Sequence, residues 1–250
     1  MLALIVACGG DNGSGAGGGT VAIATVTRTA GDTSGRATPE AAATEGSSTT
    51  LPAGSVEATQ SPPANGSAVL SGFVYPIAGA CLPQGDQLMP NAPRTYRSGI
   101  HEGVDFYGVD NCTQIGLGTP VVAVKAGRII RIDHAYVDLT PQTLAALRAN
   151  PTADESLDAF RGRQVWIDHG DGVVTRYCHL SGVLPEMEVN DLVAQGTTIG
   201  YVGESGTPGS VESPGLEFHL HWELRTGGSY LGAGQDAAQV RALYLALFSP

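Results

Sequence analysis

Four of the six histidines stand in motifs whose spacing could do chemistry. In FHLHWELR, residues 218–225, His219 and His221 flank one leucine in an apolar run that reads as a strand. Successive strand side chains point to opposite faces, so the two imidazoles share a face, about 6–7 Å apart along the chain. Two half-buried histidines on a sheet would account for this. A metal ligand beside a proton-transfer group would account for it as well, and that reading requires further ligands elsewhere.

GIHEGVDFYGVD, residues 99–110, supplies His101 and Asp105. Gly103, the β-branched Val104 and the Phe106-Tyr107 pair disfavour a helix here. In a straight strand the two residues would be about 13 Å apart, too far for one ion. The chain must therefore bend near Glu102-Gly103, leaving His101 on a loop and Asp105 on a strand. With His221 they would form a three-ligand set, the number a catalytic zinc site uses while one position stays open for water. A fourth histidine, His179, lies in TRYCHLS, residues 175–181. Alternation assigns Tyr177 and His179 to one strand face and Arg176 and Cys178 to the other.

Five segments occur in order: HEGVD (101–105), GTPVVAVKAGRI (118–129), VWIDHGDGVVTRYCHLS (165–181), VNDLVAQGTTIGYVGESG (189–206) and HLHWELR (219–225). Together they closely resemble the lysostaphin/LytM-type zinc metalloendopeptidases of bacterial cell walls, over roughly residues 94–226. The resemblance implies a mainly β fold, an antiparallel sheet or sandwich of the duplicated-hybrid-motif type. It implies one Zn²⁺ per chain on His101, Asp105 and His221, with His179 and His219 handling protons and transition-state charge. Peptidoglycan peptides would be the substrate. Tyr177 and Arg97 are assigned to substrate binding at the rim, with Arg94 beside them. Four features depart from the family: the long acidic segment GTPGSVESPGLEF before HLH, an insertion at about 134–162, Cys178 where a small residue is common, and the acidic balance of the chain. Alternation points Cys178 away from the metal, as a packing residue.

The elements that must position these residues are short and β-rich from about residue 69 onward, split by Gly, Pro and Asp-Gly turns. Asp171-Gly172 predicts a hairpin turn. Two helical pieces fill the insertion, the first opening at Thr140-Pro141. A C-terminal helix is expected over about 236–248, packing through Val240, Leu243, Tyr244 and Leu247. His169 reads as a turn residue and His134 as a solvated one. Cys81 and Cys112 flank the His101 motif; an exported chain would pair them in a disulfide, and the alternative is two free, buried thiols.

Upstream the composition changes. MLALIVA and Cys8 resemble the end of a lipoprotein signal with its lipobox, which makes residues 1–8 a signal remnant and Cys8 a lipidation site. No positively charged residue precedes the run, so a start further upstream is expected. Residues 9–68 are dominated by Gly, Ser, Thr, Ala and Pro, with no aromatic residue before Phe73. Such a segment cannot bury enough apolar surface to offset its ordering entropy. It reads as a disordered tether with an r.m.s. span of about 40–45 Å. Residues 69–250 are then the zinc metalloendopeptidase domain, extracytoplasmic and anchored to the membrane, or secreted if Cys8 is not lipidated. With 13 Lys+Arg against 24 Asp+Glu and a net charge of −11, the chain lacks the basic surface of a nucleic-acid binder.

Two other classes compete. One is a non-catalytic peptidoglycan-binding or hydrolase-activating module of the same fold, which loss of ligands would signal; every expected position is filled. The other is a biotin/lipoyl-type carrier, which needs an exposed lysine at a hairpin tip. The only lysine, Lys125, reads as part of a strand.

Overall fold

The computed structural model describes residues 70–249. In chain order the strands are β1 (Pro93–Arg94), β2 (Gly99–Ile100), β3 (Val104–Phe106), β4 (Pro120–Val122) and β5 (Gly127–Ile132), followed by helices α1 (Pro141–Ala149) and α2 (Asp154–Phe160). Then come β6 (Val165–Asp168), β7 (Val173–Cys178), β8 (Leu180–Val183), β9 (Leu192–Val193), β10 (Thr198–Val202), the single turn α3 (Gly209–Glu212), β11 (Leu220–Thr226), β12 (Ser229–Tyr230) and α4 (Ala237–Leu247). All described strand pairings are antiparallel.

The main sheet runs β12-β11-β7-β6-β5-β9, with β3 added to β11, and a smaller sheet runs β4-β10-β8. The hairpin of β6 and β7 turns at Asp171 (φ 51°) and Gly172 (φ 73°). Positive φ at both central residues is the type I′ geometry whose twist matches the flanking strands. The helical pair α1 and α2 interrupts the β5–β6 pairing, so the insertion is a side excursion from a continuous sheet. Thr140 caps α1 reciprocally with Thr143, and Pro141 occupies the first turn, where a missing N–H is harmless.

Alternation along β11 divides its side chains. Leu220, Trp222 and Leu224 are fully buried in the core, where Trp222 meets Tyr244 of α4 edge to face at 6.0 Å. Asp236 caps α4 reciprocally with Gln239, and Val240, Tyr244 and Leu247 form its buried stripe. Each such large apolar side chain contributes about 1.5–3 kcal/mol by burial. This locks the register of β11 and so decides which face His221 must take. A Cys81–Cys112 disulfide closes the loop containing His101 and Asp105. Lys125 lies in the connection between β4 and β5 and not within a strand; its ammonium donates to Ser71 O (3.2 Å) and lies over the Phe73 ring. Among the described residues no helix is long and apolar enough to cross a membrane. Cys8 and the segment 9–68 lie outside the described residues.

Candidate active site

One rung of the sheet sets the site. His221 of β11 is opposite Asp105 of β3 on one side and Cys178 of β7 on the other. Directly opposed residues share a face, so these three side chains project together. The next rung, Val104, Trp222 and Tyr177, points into the core. His101 arrives from the bend between β2 and β3. A Cβ on Gly103 would collide with the Trp222 carbonyl and lie 2.9 Å from His221 Cε1, so only glycine lets this bend approach β11.

Three lone-pair atoms then converge. His101 Nε2 lies 2.9 Å from Asp105 Oδ1 and 3.0 Å from His221 Nδ1, and His221 Nδ1 lies 2.8 Å from the same Asp105 oxygen. The outer nitrogens are committed elsewhere. His101 Nδ1 donates to Met89 O at 2.9 Å, and His221 Nε2 donates to Glu223 Oε1 at 3.2 Å. The other carboxylate oxygen of Asp105 accepts from Arg94 at 2.8 Å. Burial would raise the Asp105 pKa, but His101 and His221 outweigh it and hold the carboxyl well below its usual range. Burial pushes the His101 pKa down; for His221 the hydrogen bonds to Asp105 and Glu223 outweigh burial and push it up.

His179 and His219 complete the cluster. His179 Nδ1 donates to Ser205 O (2.8 Å), and His219 Nδ1 donates to Glu217 O (2.6 Å). Each ring therefore keeps its Nε2 as an acceptor, and that of His219 lies 3.9 Å from Asp105 Oδ1. The two rings are 4.6 Å apart, and Tyr107 stacks on His219 at 4.3 Å. Burial, followed for His179 by the neighbouring imidazoles, pushes both pKa values below the usual histidine value. Both rings are thus neutral at neutral pH.

The five residues floor a cleft of about 550 Å³. One wall carries Arg94, Tyr96 and Arg97; the other joins Leu157 and Phe160 of the insertion to the loop before His219. A double ion pair, Arg148 to Glu212 at 2.5 and 2.8 Å, ties α1 to α3 across that wall. Arg97 lines the cleft while donating to Ile100 O (2.8 Å), and Arg94 is the one that reaches Asp105. His169 bonds Ala126 O and Thr175 Oγ1, and His134 bonds Met187 O; both lie outside the cleft.

Two orientation expectations are corrected. Tyr177 is fully buried in the core, its hydroxyl accepting from Val124 N at 2.9 Å, so it does not line the cleft. Cys178 lies on the face of His221 instead of the opposite one, with its sulfur near His221 and Glu223, yet it is fully buried and outside the cleft, the packing residue expected. The reason is the same for both. β7 ends at Cys178, and His179 adopts φ 60°, which breaks the alternation and swings its ring onto the opposite face from Tyr177. Three participants were overlooked in the sequence. Glu223 lies two residues from His221 on the same face of β11, a period-two signal that is there to read, and Tyr107 follows the end of β3 two residues after Asp105. Arg161 offers no such signal, since only folding brings the insertion to the site.

The residues fit a zinc ion. With the N–H of each ring on its outer nitrogen, two imidazole lone pairs and a carboxylate oxygen face one point, an arrangement that a cation stabilises. The outer N–H groups are held by a backbone carbonyl and a carboxylate, the support that metal-ligating histidines typically have. The donor set, two His and one carboxylate, suits zinc.

A search of curated proteins found no match. Among solved structures the chain is similar to a zinc-containing peptidase from Vibrio cholerae, at 23% identity over 64% of this chain and 38% of that one, TM-score 0.41. It is similar to the catalytic domain of a mutant prophage-encoded M23 protein from Enterococcus faecalis, at 20% identity over 64% and 93%, TM-score 0.41. It is also similar to the catalytic domain of the antimicrobial peptidase lysostaphin from Staphylococcus simulans, at 24% over 61% and 85%, TM-score 0.38. The present chain thus spans well under half of the Vibrio protein. Residues 99–233, more than half the chain and containing all five site residues, match Peptidase family M23, and the chain belongs to that family.

Proposed function

We infer that this protein is a zinc-dependent metalloendopeptidase that hydrolyses peptide bonds in peptidoglycan cross-links while tethered to a membrane. The observation that carries the reading is the convergence of His101 Nε2, Asp105 Oδ1 and His221 Nδ1 at the floor of a cleft, with both outer histidine nitrogens already bonded. These three residues would hold the ion. When bound, zinc supplies a water acidic enough to be a nucleophile at neutral pH and a Lewis acid for the scissile carbonyl.

The chain's own groups account for the remaining chemistry. Arg94 holds Asp105 Oδ2, which leaves Oδ1 aimed between the two histidines. Neutral His219, its Nδ1–H fixed on Glu217 O and its ring backed by Tyr107, presents Nε2 to take a proton and later return it to the leaving amine. His179, fixed in the same tautomer by Ser205 O, presents a second neutral Nε2, which can accept a hydrogen bond from the attacking water and orient it. The presence of both cleft histidines, with acceptor nitrogens directed inward, supports an enzyme over a silent binding module.

Peptidoglycan as substrate rests on the family and on the five-segment resemblance. Anchoring rests on Cys8 and the composition of residues 9–68. Digestion of purified cell wall with the zinc-loaded chain, with products mapped by mass, tests the activity; release of no peptide fragments would contradict it. Cys8→Ala, expressed from the true start, is expected to leave the protein out of the membrane fraction. A wild-type protein with an unmodified cysteine would remove the anchor from the account.

A further inference from the structure

Arg161 is the first residue after α2, the last helix of the insertion, yet it reaches the metal site by three routes. Its Nε donates to Glu223 Oε1 at 2.6 Å, the same oxygen that accepts from His221 Nε2. Its Nη2 donates to Glu102 Oε2 at 2.6 Å, and Glu102 is the neighbour of His101. Its backbone carbonyl accepts the N–H of His179 at 2.9 Å, at the point where His179 takes φ 60°. A non-glycine residue in that region is strained and needs such a partner to stay there.

Charge balance alone does not require this residue. Glu223 is fully buried, but its other oxygen already receives Arg225 at 3.0 Å and Arg176 at 3.4 Å. What Arg161 adds is geometry. Arg225 also bridges the two carboxylates, through a single nitrogen at 2.8 Å from Glu102 Oε2 and 3.0 Å from Glu223 Oε2. The Arg161 fork instead binds Glu223 through Oε1, the oxygen that faces His221, while it holds Glu102, and so couples the strand carrying His221 to the bend carrying His101. Gly162 supports the placement, because a Cβ there would strike the Ser205 backbone, the segment that holds His179.

We propose that Arg161 is a positioning residue, through which the helical insertion holds His221 and His101 in zinc-binding geometry. This rests on the metal reading given above. Zinc affinity of the full chain, measured by competition with a chromogenic chelator, tests it without reference to activity. Arg161→Met is expected to weaken zinc binding by about 10-fold or more, the usual size of an outer-shell effect. In a Glu223→Gln background the same change is expected to cost less than in the wild type, because the route through Glu223 is already lost while the bond to Glu102 remains. Arg161→Lys keeps a positive charge beside Glu223, which guards against misfolding, but one ammonium does not reproduce the fork, and its affinity is expected to fall short of the wild type's.

If the wild type binds zinc and either Arg161 variant, folded, matches its affinity, the proposal is overturned while the metal reading stands. Full additivity with Glu223→Gln overturns it equally. A wild type that binds no zinc overturns the metal reading and this proposal together.

Discussion

His101 Nε2 and His221 Nδ1 face each other across 3.0 Å, although they are 120 residues apart and each is hydrogen-bonded at its other nitrogen. One reaches the point from a loop and the other from a central strand. The close packing of Gly103 against Trp222 brings them together. The first element of the site is therefore a backbone approach, and the ligand geometry follows from it.

The loop side of that approach depends on the Cys81–Cys112 disulfide, which encloses both His101 and Asp105 with a sequence separation of 31. Closing a loop of this size stabilises by about 3–4 kcal/mol in the chain-entropy account. Replacing both cysteines with serine should lower the unfolding free energy by about that amount in chemical denaturation. An unchanged midpoint would show that the loop is held by its other contacts.

The placement of Tyr177 in the core predicts a stability phenotype. Tyr177→Phe removes the acceptor for the buried Val124 N–H and should cost about 1–3 kcal/mol. Turnover per folded molecule should be unchanged. A raised KM at normal stability would return Tyr177 to the cleft.

Arg97 lines the cleft, so Arg97→Ala should leave zinc content and kcat unchanged and raise KM for peptides carrying carboxylates. An exposed ion pair of about 1 kcal/mol corresponds to roughly a five-fold rise. An unchanged KM would exclude Arg97 from substrate contact.

Burial pushes His219 and His179 below the ordinary histidine value, so their neutral, proton-accepting forms persist into mild acid. Activity should therefore hold as pH falls toward about 6.5, the unperturbed value, and be lost only below it. A pH profile of kcat/KM with its acid limb at or above that point would contradict the assignment of these rings as proton acceptors.

Much of this site was legible because its chemistry lies in short motifs. HLH on a strand gave the shared face of His219 and His221, and the glycine in HEGVD gave the bend that the structure contains. Asp-Gly at 171–172 gave the hairpin. Sequence reasoning failed where a local rule gives way to tertiary contacts. Alternation was extended one residue past the end of β7, which misplaced Tyr177 and Cys178, because the φ of His179 is held by Arg161 and Ser205 from distant segments. Lys125 was assigned to a strand because the apolar run around it is continuous, whereas the chain turns there between two sheets. The grip of Arg94 on Asp105 and of Arg161 on Glu223 depends on side-chain reach across the cleft floor, which no spacing encodes.

The most direct test of the account is the zinc content of five purified single variants. His101→Ala, Asp105→Ala and His221→Ala each remove one of three converging ligand atoms and should lose zinc and hydrolysis together. His219→Ala and His179→Ala should retain about one zinc per chain and lose turnover by about 10²–10⁴-fold, the usual contribution of a positioned acid or base. Retention of zinc by His221→Ala together with its loss by His219→Ala would reverse the two roles. Full zinc and full activity in all five would show that this cluster is not the active site.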